Sequence, residues 1–334
     1  MQLPTPAQIK RDIPLTVPAH IASWRRVAID ILERRDPRLA LIVGPCSIHD
    51  ADAVYEYGLR LKALLPEIEH AFFPIMRLFF EKPRTQLGWK GMLYDPHLDG
   101  SHDIEAGLRK ARALILKIAE LGIPCAAELL EPLAVPYFDD LIVWGMIGAR
   151  TSASQPHRQL VSGLPFPVGF KNDTRGDLDT AIAGILSSRI AHSHLGIDAG
   201  GRISKIQTQG NRYTHLVLRG SDRGPNYDAH SIETALKSLQ EQRLEPRLII
   251  DCSHGNCGRD PQRQKSAFQS VTDQAMRNTA ICGLMLESHL LPGKQPLGDD
   301  PHHLHYGISI TDPCLGWDET AELLRSTSIS FVQN

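Results

Sequence analysis

The chain has 334 residues, 42% of them hydrophobic and 22% charged, and a formal net charge of −2. That balance describes a folded globular chain with material for a large core and excludes a disordered segment or a general polyanion binder, so no nucleic-acid partner is expected. The six cysteines (Cys46, Cys125, Cys252, Cys257, Cys282, Cys314) show no CxxC pair, Met1–Pro6 lacks the layout of an export signal, and no apolar run reaches the ~20 residues that span a bilayer. These features point to a cytoplasmic protein with reduced thiols and no membrane association.

Prolines at 4, 6, 14 and 18 precede a run of helical period from His20 to Arg35, which stops before Asp36-Pro37. Residues 1–38 therefore read as an arm and helix ahead of a catalytic body at 39–334. From Leu39 onward, short apolar runs alternate with longer helical segments. The strands expected are Leu39–Val43, Phe73–Phe80, Cys125–Leu130, Met146–Ala149, Val168–Lys171, His215–Arg219, Leu248–Cys252 and Leu284–Glu287. Helices are expected at Ala51–Leu65, Ile104–Leu121, Pro136–Trp144, Gln155–Ser162, Asp177–Ala191, His230–Arg243, Pro261–Ala280 and Asp318–Ser326. Eight such units predict a closed (β/α)8 TIM barrel more than an open doubly wound sheet. One interruption, His194–Asp198 and Arg202–Ile206 around Gly200-Gly201, reads as a small β-hairpin inserted before the sixth strand.

The ends of these strands carry unusual residues. Arg77, Lys82, Arg84, Arg150, Lys171 and Arg219 converge on one mouth, and like charges gather there only if an anion offsets their repulsion. Arginine holds phosphate or carboxylate through paired hydrogen bonds, and lysine holds it as a point charge. Cys46, His254, Glu287 and Asp312 form a second set, whose thiol, imidazole and carboxylates suit a borderline divalent ion (Mn, Fe, Co or Zn) better than Mg or Ca. Alone, Cys46 is as well explained as a small buried hydrophobe, and His254 and Glu287 as general acid-base or core groups.

The motifs are specific in combination. Gly44-Pro-Cys-Ser-Ile-His-Asp50, Arg77 with Glu81-Lys-Pro-Arg-Thr85, Gly88-Trp-Lys-Gly91, Gly148-Ala-Arg-Thr151, Gly169-Phe-Lys-Asn172, Leu218-Arg-Gly220, Asp251-Cys-Ser-His254, Glu287-Ser-His289 and Ser309-Ile-Thr-Asp312 occur in that order. From about residue 20 to the end, the chain closely resembles the type I, metal-dependent 3-deoxy-D-arabino-heptulosonate 7-phosphate (DAHP) synthases that open the shikimate pathway.

The resemblance implies a (β/α)8 barrel with an N-terminal extension, assembled as a homodimer or homotetramer. It also implies condensation of phosphoenolpyruvate with erythrose 4-phosphate, with release of phosphate. Position by position, Cys46, His254, Glu287 and Asp312 match the ligands of one divalent metal ion. Arg77, Lys82, Arg150, Lys171 and Arg219, with Gly148 and Ala149, match the phosphoenolpyruvate site; Arg84 and Thr85 match the aldose phosphate site. Lys82, Cys46 and His254 are the catalytic set, Lys82 as proton donor and the other two as ligands, while Glu128 could position water or Lys171. Regulated members bind an aromatic amino acid near stretches matching Pro132–Pro136 and Gly163–Phe166, whose prolines depart from the usual pattern. Other readings are a paralogue using another aldose phosphate or serving a secondary-metabolite pathway, and a non-catalytic phosphate-binding copy.

Overall fold

The computed structural model describes residues 2–84, 87–298 and 300–331. Its strands in chain order are Leu39–Gly44 (β1), Phe72–Arg77 (β2), Cys125–Glu128 (β3), Trp144–Ile147 (β4), Val168–Lys171 (β5), Ser193–Ile197 (β6), Ile203–Gln207 (β7), Thr214–Leu218 (β8), Leu248–Asp251 (β9) and Ile281–Glu287 (β10). The helices are Pro6–Asp12 (α1), Pro18–Leu32 (α2), Ala51–Ile68 (α3), Ile104–Glu120 (α4), Gln155–Val161 (α5), Asp179–Ser188 (α6), Ala229–Glu241 (α7), Arg263–Ala275 (α8) and Trp317–Ser330 (α9). Eight strands close a parallel barrel in the order β1-β10-β9-β8-β5-β4-β3-β2, and β6 and β7 stand apart as an antiparallel pair before β8.

The apolar runs explain the closure. Every residue of β1 and β10 is buried, as a barrel strand with the filled interior on one face and helices on the other requires. Their register sets Val43 beside Leu286 and Gly44 beside Glu287, so the end of β1 adjoins a carboxylate. Gly44 has φ +152, and a Cβ there would lie 2.9 Å from the Arg77 carbonyl oxygen. Glycine lets the chain turn tightly over the end of β2 and brings Cys46 across the mouth. Six residues on, the Asp50 carboxylate accepts from the backbone N–H groups of Asp52 and Ala53 and caps α3, so the turn is anchored at both ends.

The opposite end of the barrel is closed by α2. Its Ile21, Ala28, Ile31 and Leu32 join Ala40, Ile42, Ile75, Trp144, Val217, Ile249 and Met285 in one apolar cluster. Within that cluster's surroundings lies His215, 2% exposed, whose Nε2 accepts from the Trp144 indole at 3.3 Å. Burial lowers its pKa to about 3. The imidazole is therefore neutral in the folded chain but ionises near pH 6.5 once unfolded. Stability should be fully present above pH 6.5 and fall as pH drops towards 3, by up to about 1.4 kcal/mol per pH unit for this one proton. Thermal unfolding midpoints between pH 7 and 5 should show the fall and should flatten in His215→Gln; an unchanged slope in that variant would assign the proton elsewhere.

Three expected elements differ. Residues Pro136–Trp144 form no α-helix: a 3-10 turn at Val135–Tyr137 leads to irregular chain, and Trp144 already opens β4. Arginines supply the hydrogen bonds that a helix would have made internally. Arg112 donates to the Tyr137 carbonyl at 2.9 Å and to Asp140 at 2.7 Å, and Arg25 donates to the carbonyls of Asp139 and Ile142. The second strand stops at Arg77 rather than Phe80, leaving Leu78–Lys82 irregular at the mouth. The proline-rich start contains α1, because Pro6 occupies a first-turn position that needs no N–H and Thr5 with Gln8 forms a capping box. Among the described residues, no helix is long and apolar enough to cross a membrane, and all six cysteines are buried and unbridged.

Candidate active site

A cavity of about 320 Å³ opens at the carboxyl ends of the barrel strands. Arg77, Lys82, Arg84, Glu128, Gly148, Ala149, Arg150, Lys171, Arg219, His254, Glu287 and Asp312 all line it. Cys46 lies just beneath, 1% exposed, with Sγ 3.5 Å from Lys82 Nζ and 3.7 Å from Asp312 Oδ2. Thr85 falls outside the described residues. A larger groove of about 540 Å³ beside α3 and α4 mixes acidic, basic and apolar side chains without such a convergence, so chemistry rather than volume marks the site.

The cations hold distinct positions. Arg77 is buried at the back, pairing with Glu287 at 2.7 Å and donating to the carbonyls of Pro45 and Cys46, so it braces the Cys46 turn. Its Nε has no hydrogen-bond partner among the described residues. Lys82 donates to the Cys46 carbonyl, and its own backbone N–H is fixed to Lys90 at 2.9 Å. Arg77, Lys82 and Lys171 all face the ring of Phe79, at 3.8, 5.6 and 5.9 Å from its centroid. That ring offers crowded cations a partly compensating π face. Arg84 and Arg150 are exposed at the rim, and Arg84 Nε donates to the Trp89 carbonyl at 2.8 Å.

The Cys46 thiol and one carboxylate oxygen each from Glu287 and Asp312 lie within 4.8 Å of one another. His254 stands just outside that group, its Nε2 3.7 Å from Glu287 Oε1. It sits in the left-handed region at φ +55. The turn is locked by the adjoining Gly220-Ser221 segment, because a Cβ on Gly255 would come within 2.3 Å of the Ser221 nitrogen. His254 Nδ1 is already engaged, 2.9 Å from Asp251 Oδ2 and 2.7 Å from the Ser253 hydroxyl, which leaves Nε2 for the cavity.

The electrostatics agree with a cation site. Burial, then the Glu287 charge, pushes the Cys46 thiol up to about 11 against the pull of Lys82 and Arg77. Burial would raise Asp312, but His254 and Lys82 hold its carboxyl below the usual range. Asp251 is also buried, yet Lys171 and His254 hold it well below the ordinary carboxylate value. A buried thiol crowded by two carboxylates is a donor set that a divalent ion of intermediate softness fits, since its charge offsets theirs and displaces the thiol proton.

Several residues at this site had no place in the sequence-based set. Arg259 and Lys294 line the cavity, Phe79 supports the cations, and Asp251 links Lys171 to His254. Asp251 opens the Asp251-Cys-Ser-His254 motif and Arg259 lies five residues past it, whereas Lys294 arrives through a bridge to Ser309 that no local pattern announces. The stretches Pro132–Pro136 and Gly163–Phe166 do meet, lining with β6 and β7 a mainly apolar cavity of about 460 Å³.

Comparison with known proteins gives a consistent result. A profile described as the DAHP synthetase I family matches residues 10–325. The Tyr-sensitive phospho-2-dehydro-3-deoxyheptonate aldolase of Salmonella typhimurium is 44% identical over 326 residues, 97% of this chain and 91% of that one. The Trp-sensitive enzyme of Escherichia coli K12 is 44% identical over 328 residues, 97% and 93% of the two chains. The solved structure of phospho-2-dehydro-3-deoxyheptonate aldolase from Francisella tularensis SCHU S4 is 38% identical, with a TM-score of 0.96 over 99% of this chain and 97% of that one. A barrel whose strand ends gather cations around a thiol-carboxylate group, matched along almost its whole length, belongs to the DAHP synthetase I family.

Proposed function

We propose that the chain condenses phosphoenolpyruvate with D-erythrose 4-phosphate and water to give 3-deoxy-D-arabino-heptulosonate 7-phosphate and phosphate, the first step of aromatic amino acid biosynthesis. The observation that carries this reading is the convergence of eight lysine and arginine side chains among the described residues and a Cys46-Glu287-Asp312 group on one cavity at the barrel mouth. Two phosphates and a carboxylate entering together account for that charge.

Arg150, Lys171 and Arg219 hold phosphoenolpyruvate against the strand ends, with Gly148 and Ala149 as its backbone wall. Arg77 supports the same ligand from below through its unpaired Nε. Arg84, at the rim, takes the aldose phosphate, a role the family resemblance also gives to Thr85. C3 of the enol attacks the aldehyde carbon, and Lys82 gives a proton to the oxygen that becomes negative. Water adds at C2, and phosphate leaves by C–O cleavage. Glu128, 8% exposed on the cavity wall, positions that water.

Cys46, Glu287, Asp312 and His254 would hold one divalent ion (Mn, Fe, Co or Zn). When bound, such an ion supplies Lewis-acid polarisation of a carbonyl oxygen. We read the assembly as a homodimer or homotetramer, supported by Leu195 and Ile203, 80% and 82% exposed on the hairpin. Six unbridged thiols favour the cytoplasm.

A panel of aldose phosphates tests the assignment. Erythrose 4-phosphate should consume phosphoenolpyruvate fastest and release one phosphate per condensation. No reaction with the four-carbon sugar, or a faster one with a five-carbon aldose phosphate, would overturn it.

A further inference from the structure

Asp251, at the end of β9, is fully buried and belongs to neither set of groups described above. An isolated carboxylate in such a place is costly, and it persists only with its lone pairs satisfied. Its Oδ2 accepts from Lys171 Nζ at 2.7 Å and lies 2.9 Å from His254 Nδ1. Its Oδ1 accepts from the Ser253 backbone N–H at 3.0 Å and from the Ser253 hydroxyl at 2.5 Å. One oxygen thus ties together a cation of the phosphoenolpyruvate wall and the imidazole beside Glu287.

We propose that Asp251 is a positioning residue that fixes Lys171 and His254 through a single carboxylate oxygen and thereby serves both the phosphoenolpyruvate site and the divalent-ion site. This rests on the reading of the cavity given under the proposed function. With its Nδ1 proton committed to Asp251, His254 presents an unprotonated Nε2 towards Glu287, the tautomer a ligand needs. With its ammonium tethered to the same oxygen, Lys171 loses rotamer freedom before the substrate arrives, so less is lost on binding. Asn256 braces the arrangement, its Nδ2 donating to the Asp251 carbonyl at 2.8 Å. An amide at position 251 would keep the volume but carry no charge, and with its oxygen towards Lys171 and His254 its NH2 would meet the Ser253 backbone N–H, a donor against a donor.

The test uses Mn2+ as the metal probe, titrated into metal-free protein and followed by the electron paramagnetic resonance of the free ion. Phosphoenolpyruvate binding is measured by calorimetry on the metal-free protein, so that the two arms stay independent. In Asp251→Asn, Mn2+ affinity should fall roughly 10–100-fold, the scale for loss of an outer partner of a metal-ligating histidine. Phosphoenolpyruvate affinity should fall about tenfold, the scale for a lost hydrogen bond between charged groups. Ser253→Ala touches only Oδ1 and the His254 side, so it should lower Mn2+ affinity severalfold and leave phosphoenolpyruvate affinity unchanged.

An Asp251→Asn protein in which neither affinity moves, or only one, overturns that shared role. So does Ser253→Ala if both affinities fall equally. If Asp251→Asn does not fold, Ser253→Ala decides alone, and an unchanged Mn2+ affinity overturns the proposal. Wild-type protein that binds neither probe overturns the functional reading as well, whereas failure of the variants alone leaves that reading intact.

Discussion

Lys82→Ala should keep its metal and lose its turnover. Proton transfer by a positioned group contributes about 10²–10⁴-fold, and Lys82 supplies the ammonium nearest the Cys46 thiol, at 3.5 Å, on the cavity wall. Its loop is held by backbone pairing to Lys90, so truncating the side chain should leave the site's shape intact. None of the four proposed ligands is itself changed, and the Cys46 carbonyl that loses Lys82 is still held by Arg77 at 2.7 Å. The measurement is kcat beside bound metal per chain; a loss of turnover below tenfold, or metal lost in step with turnover, would remove Lys82 from the proton-donor role.

Cys46→Ala should lose metal and turnover together. The thiol is one of three donors within 4.8 Å of one another, and its removal leaves a buried and a half-buried carboxylate and a peripheral imidazole. The drop in metal affinity should exceed the roughly 10–100-fold expected for an outer partner. Little unfolding should accompany it, because the turn carrying Cys46 is held by backbone contacts, including Arg77 on the Cys46 carbonyl at 2.7 Å. The neighbouring Cys314, whose Sγ accepts from the Cys46 backbone N–H at 3.4 Å, does not belong to that three-donor group. Metal analysis and kcat on the purified variant decide the matter, and normal turnover would make the Cys46 turn structural only.

Much of the barrel was legible because its determinants are local. Runs such as Leu39–Val43 and Leu248–Asp251 are too apolar for anything but a strand covered on both faces, and the hairpin around Gly200-Gly201 declares itself by its turn. The cation ring was legible for the same reason, since a strand end is a position along the chain. What escaped depends on distant partners. Pro136–Trp144 has helical composition, but Arg112 and Arg25 arrive from elsewhere to take its carbonyls. Asp251 gives no sign in the sequence that it will meet Lys171, and Lys294 reaches the cavity only because its loop pairs with Ser309. His254 differs again: its place in a motif was visible, whereas its stance at the edge of the Cys46-Glu287-Asp312 group follows from the strained turn locked by Gly255 and from the grip of Asp251 on Nδ1.

The central claim is that the strand-end cations and the thiol-carboxylate group act as one catalytic centre for phosphoenolpyruvate and erythrose 4-phosphate. The direct measurement is consumption of phosphoenolpyruvate with erythrose 4-phosphate before exhaustive chelation, after it, and after readdition of Mn2+. The account predicts activity that is lost on chelation and restored by the ion. Condensation that continues at full rate in protein shown by metal analysis to be free of divalent ions would contradict it.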